Sequence, residues 1–305
     1  KRALQALRNP AQHLPGQALV LVGPPDCGKT LFQSLITCCL GGRDVDASSV
    51  LDGTQARFTA HLFKAEHLVA SDPGTARSHN ARHAFREKLK QLVANERIEA
   101  EGKHKESVTL RPIWRITISA NDDADSLAIL PSPLEDPSFA DKVHYFLCRR
   151  PSILPTGDAS EGERARFKNS LLEDLPNLVA MADAAEIPPE LQKARFGVRE
   201  YAHPGVLQLL ESTSPDGPIV EIVSDYLERH GRFQGTAGDL LKALKSDSGL
   251  HVGEHITNER HLTCVLQRMA GRDRWKKLVK MHHGWNRHRN RVAFFDLRYG
   301  STDSE

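Results

Sequence analysis

The chain has 305 residues, with 41 Lys and Arg against 39 Asp and Glu and a hydrophobic fraction of 39%. This composition is ordinary for a globular protein, and the length allows one large and one smaller domain. No apolar run is long enough to span a membrane, so we expect no membrane partner and a cytoplasmic location. With a net charge of +2, any contact with nucleic acid has to come from local basic patches.

The cysteines give no sign of a metal site or a disulfide framework. There are five of them, and none forms a Cys-x-x-Cys pair. We therefore expect a reducing compartment. The chain begins at Lys1 without Met, which predicts that it is a fragment of a longer polypeptide.

In chain order, four segments are predicted. Residues 1–12 form the end of a helix, and residues 13–150 alternate short apolar strands with helical segments, as a nucleotide-binding α/β sheet with helices on both faces requires. The candidate strands are residues 18–22, 67–71, 114–119 and 143–148. Residues 151–216 form a mostly helical connector, and residues 217–305 form a C-terminal domain.

The most specific motif follows the first predicted strand. It reads Gly23-Pro24-Pro25-Asp26-Cys27-Gly28-Lys29-Thr30 and runs into a helical segment that begins with Leu31. A strand, a Gly-rich loop and a helix in this order are typical of a phosphate-binding loop, whose backbone amides point at phosphate oxygens. The nine residues 23–31 are therefore the candidate ATP-binding loop, with Lys29 on the β- and γ-phosphates and Thr30 on Mg²⁺.

Two polar residues follow later strands of the same predicted sheet. Asp72 follows the strand at 67–71, and Asn121 follows the strand at 114–119. Ligands of open α/β sheets bind at the carboxyl ends of the strands, so both residues are expected beside the phosphate-binding loop. Asp72 is the candidate for Mg²⁺ and water, and Asn121 for orienting the attacking water. A strand-capping role for each is the alternative.

The C-terminal segment has the element order of a winged helix. Three helices are predicted at residues 219–229, 236–245 and 258–269, followed by strands at 275–281 and 291–297. Residues 272–291 contain eight Lys and Arg against one acidic residue, and Arg287 and Arg289 lie between the two strands. This local excess of positive charge favours DNA binding, with an ordinary solvated hairpin as the alternative.

Taken together, these motifs resemble the superfamily 3 helicases, the hexameric AAA+ motors of small DNA viruses, phages and mobile elements. The phosphate-binding loop, Asp72 and the sequence Ser119-Ala120-Asn121 match three motifs of that family in order. The C-terminal part resembles the helicase portion of phage and plasmid primase-helicases. The resemblance implies an AAA+ type fold, a homo-oligomeric ring and a primase domain upstream. It also implies that the cytoplasm is that of a bacterial or phage-infected host cell.

The resemblance also implies a DNA-gripping hairpin between Asp72 and Asn121. In papillomavirus and polyomavirus members, a β-hairpin there carries Lys-His into the central channel. Lys103, His104 and Lys105 match that tip. A ring of such residues would bind the phosphates of single-stranded DNA irrespective of sequence.

Two positions depart from the family pattern. The acidic pair of the second motif reads Ser71-Asp72, so a single carboxylate has to serve unless Asp122 or Asp123 helps. The arginine finger from a neighbouring subunit corresponds to Lys142, which lacks the guanidinium fork.

Three other basic residues are candidates for acting across the subunit boundary. Arg149 and Arg150 are the rivals of Lys142 for the finger, and Lys90 aligns with a family position whose basic residue reaches toward the phosphates. A surface base without contact to the site is the alternative for each.

The leading hypothesis is an ATP-dependent, ring-forming helicase acting on single-stranded and forked DNA. The first alternative is an AAA+ replication initiator or loader that binds DNA without unwinding it. The second, motivated by Ser71, is a hydrolysis-poor module that binds nucleotide in order to assemble.

Overall fold

A computed structural model describes most of the chain. The described residues are 1–54, 59–73, 79–101, 106–133, 136–155, 159–214, 216–247, 252, 256, 258–271, 279–285 and 291–298. The chain forms two compact units, residues 1–213 and residues 214–305. The predicted linker at 1–12 and most of the predicted connector at 151–216 thus belong to the first unit. Within the connector, the helix Leu175–Ala184 contacts the helix Lys29–Cys39, and the helix Pro204–Ser212 contacts the strand Val143–Leu147.

The first unit contains a parallel five-stranded sheet, which confirms the α/β prediction. Its strands, in spatial order, are β2 (Asp44–Asp46), β3 (His67–Ser71), β6 (Arg115–Ala120), β1 (Ala18–Val22) and β7 (Val143–Leu147). In the register, Leu19 pairs with Thr117 of β6 and with His144 of β7. The strands predicted at 18–22 and 67–71 have the observed bounds. The strand predicted at 114–119 is shifted by one residue at both ends, and the one predicted at 143–148 ends one residue earlier.

The apolar residues of these strands explain why the sheet is central. Val20, Val22, Leu68, Ile118 and Ala120 are each at most 1% exposed. Strands of parallel sheets are covered on both faces, so near-continuous apolar runs are expected in them. Helices flank the sheet and complete this core.

The helices of the first unit are of two kinds. Three long ones are α2 (Lys29–Cys39), α4 (His79–Ala94) and α7 (Glu161–Glu173). The shorter ones are α1 (Arg2–Arg8), α3 (Ser48–Leu51), α5 (Ala124–Leu127), α6 (Pro137–Ala140), α8 (Leu175–Ala184) and α9 (Pro204–Ser212), with 3₁₀ turns at Ala60–Lys64 and Pro189–Leu191. Within the described parts of the chain, no helix has the length and apolar character needed to cross a membrane.

Two small antiparallel hairpins accompany the main sheet. Strands β4 (Ile98–Ala100) and β5 (Val108–Leu110) pair with Ile98 opposite Leu110. Strands β8 (Gln192–Lys193) and β9 (Gly197–Val198) form the second hairpin. The first lies where the resemblance places the DNA-gripping hairpin, and its predicted tip at 103–105 lies outside the described residues.

The second unit combines three helices with a three-stranded antiparallel sheet. Its elements are α10 (Gly217–His230), β10 (Arg232–Thr236), α11 (Ala237–Ser246), α12 (Glu259–Gly271), β11 (Val279–Trp285) and β12 (Arg291–Arg298), with sheet order β10-β12-β11. Val223, Leu240, Val265 and Phe295 are among its buried core residues. The three predicted helices are confirmed and the last two strands pair as expected. Strand β11 was predicted at 275–281 but is described at Val279–Trp285, four residues further into the predicted connection, and β10 was not predicted. Arg287 and Arg289 lie outside the described residues.

Candidate nucleotide-binding site

The loop between β1 and α2 has a conformation that requires its glycines. Gly28 has a φ of +93° at the start of α2, in the left-handed region that glycine adopts without strain. A Cβ atom on Gly23 would lie only 2.4 Å from the carbonyl oxygen of Cys148, so a side chain cannot fit there. The motif thus forms a tight loop between a buried strand and a helix N-terminus, as predicted from the sequence.

Lys29 connects the loop to the end of a neighbouring strand. Its Nζ donates hydrogen bonds to the carbonyl oxygens of Gly23 (2.7 Å) and Pro24 (2.8 Å) and to Oδ1 of Asn121 (3.0 Å). The Sγ atom of Cys27 lies 3.9 Å from the same ammonium group. The first and third sequence motifs, which are 92 residues apart, therefore meet through Lys29 and Asn121.

Asp72 lies at the same edge, directly after β3. Its backbone N–H donates to the carbonyl oxygen of Ser119 (2.9 Å), which continues the pairing of β3 with β6. Its φ is +45°, an uncommon value for a residue other than glycine. Nearby, the Ser119 hydroxyl donates to Ser71 Oγ (3.3 Å). Asp72 thus presents an exposed carboxylate at this edge, and Ser71 provides a hydroxyl where the family pattern has a second acid.

The two acids after Asn121 do not supply a second carboxylate to this site. Asp123 caps α5 and accepts hydrogen bonds from the backbone N–H groups of Asp125 and Ser126. The backbone N–H of Ser126 and then its hydroxyl group, both donating to this carboxylate, lower the pKa of Asp123. Asp122 is exposed and does not line the cleft described next.

A cleft of about 570 Å³ joins these residues. It is lined by the loop residues Pro25, Asp26, Gly28, Lys29, Thr30 and Leu31 and by the strand-end residues Ser71, Asp72, Ser119 and Asn121. A third group of lining residues comes from the chain after β7. It comprises Arg150, Leu154, Pro155, Arg164, Phe167 and Lys168.

The volume and charge of the cleft fit a nucleoside triphosphate. Clefts that bind small molecules measure roughly 300–1,000 Å³. Four basic side chains line this one against two acidic ones, the basic set being Lys29, Arg150, Arg164 and Lys168 and the acidic set Asp26 and Asp72. Such an excess of positive charge suits a polyphosphate.

The donor set fits Mg²⁺ only together with a nucleotide. Across the described ranges, no group of three or more His, Cys, Asp or Glu could hold a metal ion. Mg²⁺ is commonly held by one or two protein ligands together with substrate phosphates and water. The Thr30 hydroxyl and the Asp72 carboxylate, which both line the cleft, meet that requirement.

Lys142 is not brought to the cleft. It precedes β7 and lies at the opposite edge of the sheet, where its carbonyl oxygen accepts from the N–H of Ala18 at the start of β1. Its Nζ bonds to Asp141 Oδ1 (2.7 Å) and to the carbonyl oxygen of Ser138, and only 10% of its side chain is exposed. The lysine predicted in place of the arginine finger is therefore hydrogen-bonded within its own chain.

Lys90 and the two arginines differ in their surroundings. Lys90 bonds to Glu87 (2.9 Å) and to Asp136 (2.5 Å). Burial raises the pKa of the Asp136 carboxyl, but the hydrogen bonds from Lys90 and Ser138 outweigh burial and lower this pKa to about 2. Arg150 lines the cleft of its own chain, whereas Arg149 is exposed and lies outside the cleft lining.

Sequence reasoning missed the residues of α7 that line the cleft. The sequence Ser160-x-x-Glu163 is a capping box, and both of its reciprocal hydrogen bonds are present, so the start of α7 could have been predicted. No sequence pattern places that helix over the phosphate-binding loop. Arg164, Phe167 and Lys168 enter the site only through the tertiary fold.

Comparisons with known proteins agree with this fold. Residues 21–133 match the model of a family described as a family of unknown function (DUF5906). This region contains the whole Gly-rich loop at 23–31, helix α2, Asp72 and Asn121, but it is less than half of the chain. The search of curated proteins found no match.

Among solved structures, the chain is similar to the apo structure of the NrS-1 C-terminal region (305–718). The identity is 11%, the TM-score is 0.52, and the match covers 98% of this chain and 70% of that one. Two A-form apo structures of the same region match at 11% and 10% identity with TM-scores of 0.49, over the same shares of the two chains. At this identity, the first similarity shows a shared fold.

Proposed function

We propose that this chain is an ATP-hydrolysing DNA helicase of the superfamily 3 type, which acts in the replication of a phage or mobile element. The observation that carries the proposal is the 3.0 Å hydrogen bond between Lys29 and Asn121, at the edge where Asp72 also lies. An ordinary Gly-rich turn would not bring the predicted phosphate-binding, metal-binding and water-orienting groups to one cleft.

Each of these residues has a distinct role in the proposed hydrolysis. Bound Mg²⁺–ATP supplies the phosphoanhydride bond that water cleaves. The amides of the loop 23–28 and the Lys29 ammonium group bind and neutralise phosphate oxygens, and the Thr30 hydroxyl is a ligand for the metal. The Asp72 carboxylate accepts a proton from the attacking water, which the Asn121 amide orients.

The DNA-binding part of the proposal rests on the β4–β5 hairpin and on the second unit. Strand β4 of the hairpin is held to the preceding segment, because Thr59 Oγ1 donates to the carbonyl oxygen of Glu99 (2.8 Å) and Ala60 N–H to that of Glu101 (3.2 Å). Anchoring of this kind suits a hairpin that carries Lys103, His104 and Lys105 into the channel of a hexameric AAA+ ring. The second unit, with Arg287 and Arg289, has the element order of a winged helix and would bind forked DNA.

A neighbouring subunit would complete the site with a basic side chain. Arg149 is the best candidate, because it is exposed, while Lys142 and Lys90 are paired within their own chain. A guanidinium group also offers the bidentate geometry that a transferring phosphoryl group requires.

One observation favours a second function. Ser71 occupies the place of an acid, and its hydroxyl accepts a hydrogen bond from Ser119. With a single carboxylate, the site suits a module that binds nucleotide to assemble and hydrolyses it slowly. This alternative predicts nucleotide-dependent oligomers with negligible turnover.

Substitution of Lys29 tests the enzymatic proposal. Lys29→Ala should reduce phosphate release to background, with or without single-stranded DNA, since no other described basic group donates to both the loop carbonyls and Asn121. Lys64→Ala removes an exposed lysine outside the cleft lining and is the matched control. Unchanged phosphate release in Lys29→Ala would rule out hydrolysis at this site.

A hairpin variant separates unwinding from hydrolysis. Lys103→Ala combined with His104→Ala should leave ATP binding intact and abolish unwinding of a forked duplex. Arg97→Ala, a basic residue just before β4, is the control and should unwind normally. Full unwinding by the double variant would contradict the channel assignment.

A further inference from the structure

Helix α7 lines the nucleotide cleft although it contributes nothing to the core. None of its 13 residues is buried. Its start is fixed locally by the reciprocal hydrogen bonds between Ser160 and Glu163. Most helices in proteins are stabilised by an apolar face packed on the core, and α7 has no such face. Packing on the core therefore does not explain why this helix lies over the cleft.

The segment that leads into α7 passes directly over the phosphate-binding loop. A Cβ atom on Gly28 would lie 3.0 Å from Cδ1 of Leu154, so the two residues are in close contact. The segment turns at this point, with the Leu154 N–H donating to the carbonyl oxygen of Pro151 (3.2 Å) and Arg150 donating to that of Pro155 (2.6 Å). The chain after β7 thus covers the loop before α7 begins.

The cleft face of α7 carries two cations and an aromatic ring. Arg164 and Lys168 are four residues apart, and Phe167 lies between them, so the three side chains share one face of the helix. Lys168 is exposed and has no ion-pair partner within the described part of the chain. Among the described lining residues, only Asp26 and Asp72 bring negative charge to the cleft, and in the proposed function Asp72 accepts the proton of the attacking water.

We propose that α7 is a nucleotide-gripping helix that acts within its own chain. Arg164 and Lys168 bind the polyphosphate, and Phe167 packs against the nucleoside. The inference rests on the proposed function, because it takes the ligand of the cleft to be a nucleoside triphosphate. Since no residue of α7 is fully buried and its half-buried Phe167 lines the cleft, ligand contacts add to the interactions that hold this helix, and nucleotide binding tightens it.

The test compares ATP with AMP in the full-length chain. Arg164→Gln combined with Lys168→Gln should weaken ATP binding by roughly 10–100-fold, because charge-assisted hydrogen bonds to phosphate are lost, and should change AMP binding much less. Phe167→Ala should weaken the binding of both nucleotides by similar factors. Arg166→Gln is the control, because Arg166 lies on another face and bonds to the Gly162 carbonyl oxygen.

Hydrogen exchange of the amides in α7 provides a second readout. Non-hydrolysable ATP should slow exchange across residues 161–173 in the wild-type chain and not in the double variant. If the double variant binds ATP like wild type while Lys29→Ala does not, the role of α7 is wrong and the proposed function stands. If Lys29→Ala also binds ATP normally, the proposed function itself fails. Equal losses for ATP and AMP in the double variant would contradict the phosphate assignment.

Discussion

Polar groups have opposite surroundings at the two edges of the central sheet that are formed by the amino ends and the carboxyl ends of its strands. At the amino edge, His67 hydrogen-bonds with the hydroxyl groups of Thr37 (2.7 Å) and Thr117 (2.9 Å), and Lys142 pairs with Asp141. At the carboxyl edge, Asp72 is exposed with a positive φ. At the amino ends of the strands, these polar side chains are hydrogen-bonded within the protein. At the carboxyl ends, the Asp72 carboxylate is accessible to a ligand.

The difference separates polar residues that stabilise the fold from those that are candidates for a functional role. Buried polar groups are satisfied because an unpaired one costs about 1–3 kcal/mol. A strained, exposed carboxylate that contributes to no core persists only where the surrounding fold holds it, and such residues concentrate at functional sites. Position relative to the sheet edge is therefore more informative here than residue type, as Lys29 and Lys142 illustrate.

The largest expected effect is at the carboxyl edge. Asp72→Asn should lower the rate of ATP hydrolysis by about 10²–10⁴-fold, because the amide cannot accept a proton from water. Nucleotide binding and thermal stability should change little, since Asp72 is exposed. Phosphate release and nucleotide titration measure the two effects separately. A variant that hydrolyses ATP at the wild-type rate would show that another group is the base.

The next effect is a pH dependence of stability from the amino edge. Burial lowers the pKa of His67 to about 4, against an ordinary value of about 6.5. Between these values the unfolded chain binds a proton that the folded chain excludes. The free energy of unfolding should therefore fall by about 3 kcal/mol as the pH is lowered from about 6.5 to about 4.

Urea denaturation at several pH values in this range measures that effect. His67→Gln keeps a hydrogen-bonding side chain without a titratable group, so its stability should depend less on pH. An identical pH dependence in this variant would mean that His67 is not the group responsible.

The smallest effect distinguishes Lys142 from Arg149 as the residue that acts as the arginine finger. Lys142→Met should lower the free energy of unfolding by about 1–2 kcal/mol, because hydrogen bonds to Asp141 and Ser138 are lost, and should leave turnover per folded molecule unchanged. Arg149→Gln should lower turnover in the assembled protein and leave the free energy of unfolding unchanged. A loss of turnover in Lys142→Met at unchanged stability would restore Lys142 as the finger.

How much of the protein could be predicted depends on the range of the interactions. The bounds of β1 and β3 were predicted because continuous apolar runs end at Gly23 and Asp72. Strand β10 was missed, since its sequence Arg-Phe-Gln-Gly-Thr has little strand character of its own and is stabilised by pairing with β12. The hairpin strands β4 and β5 were placed correctly through family resemblance.

By itself, the sequence determined the Gly-rich loop at 23–31, the strand that precedes it and the polar residues that follow two other strands of the sheet. These features are local, because strand, turn and helix preferences act over a few residues, and parallel strands necessarily bring their carboxyl ends to one edge. Only the tertiary structure decided which cations face that edge. It paired Lys142 and Lys90 with carboxylates of their own chain and brought Arg150, Arg164 and Lys168 over the cleft, because chain segments far apart in sequence are brought together by packing that no local pattern encodes.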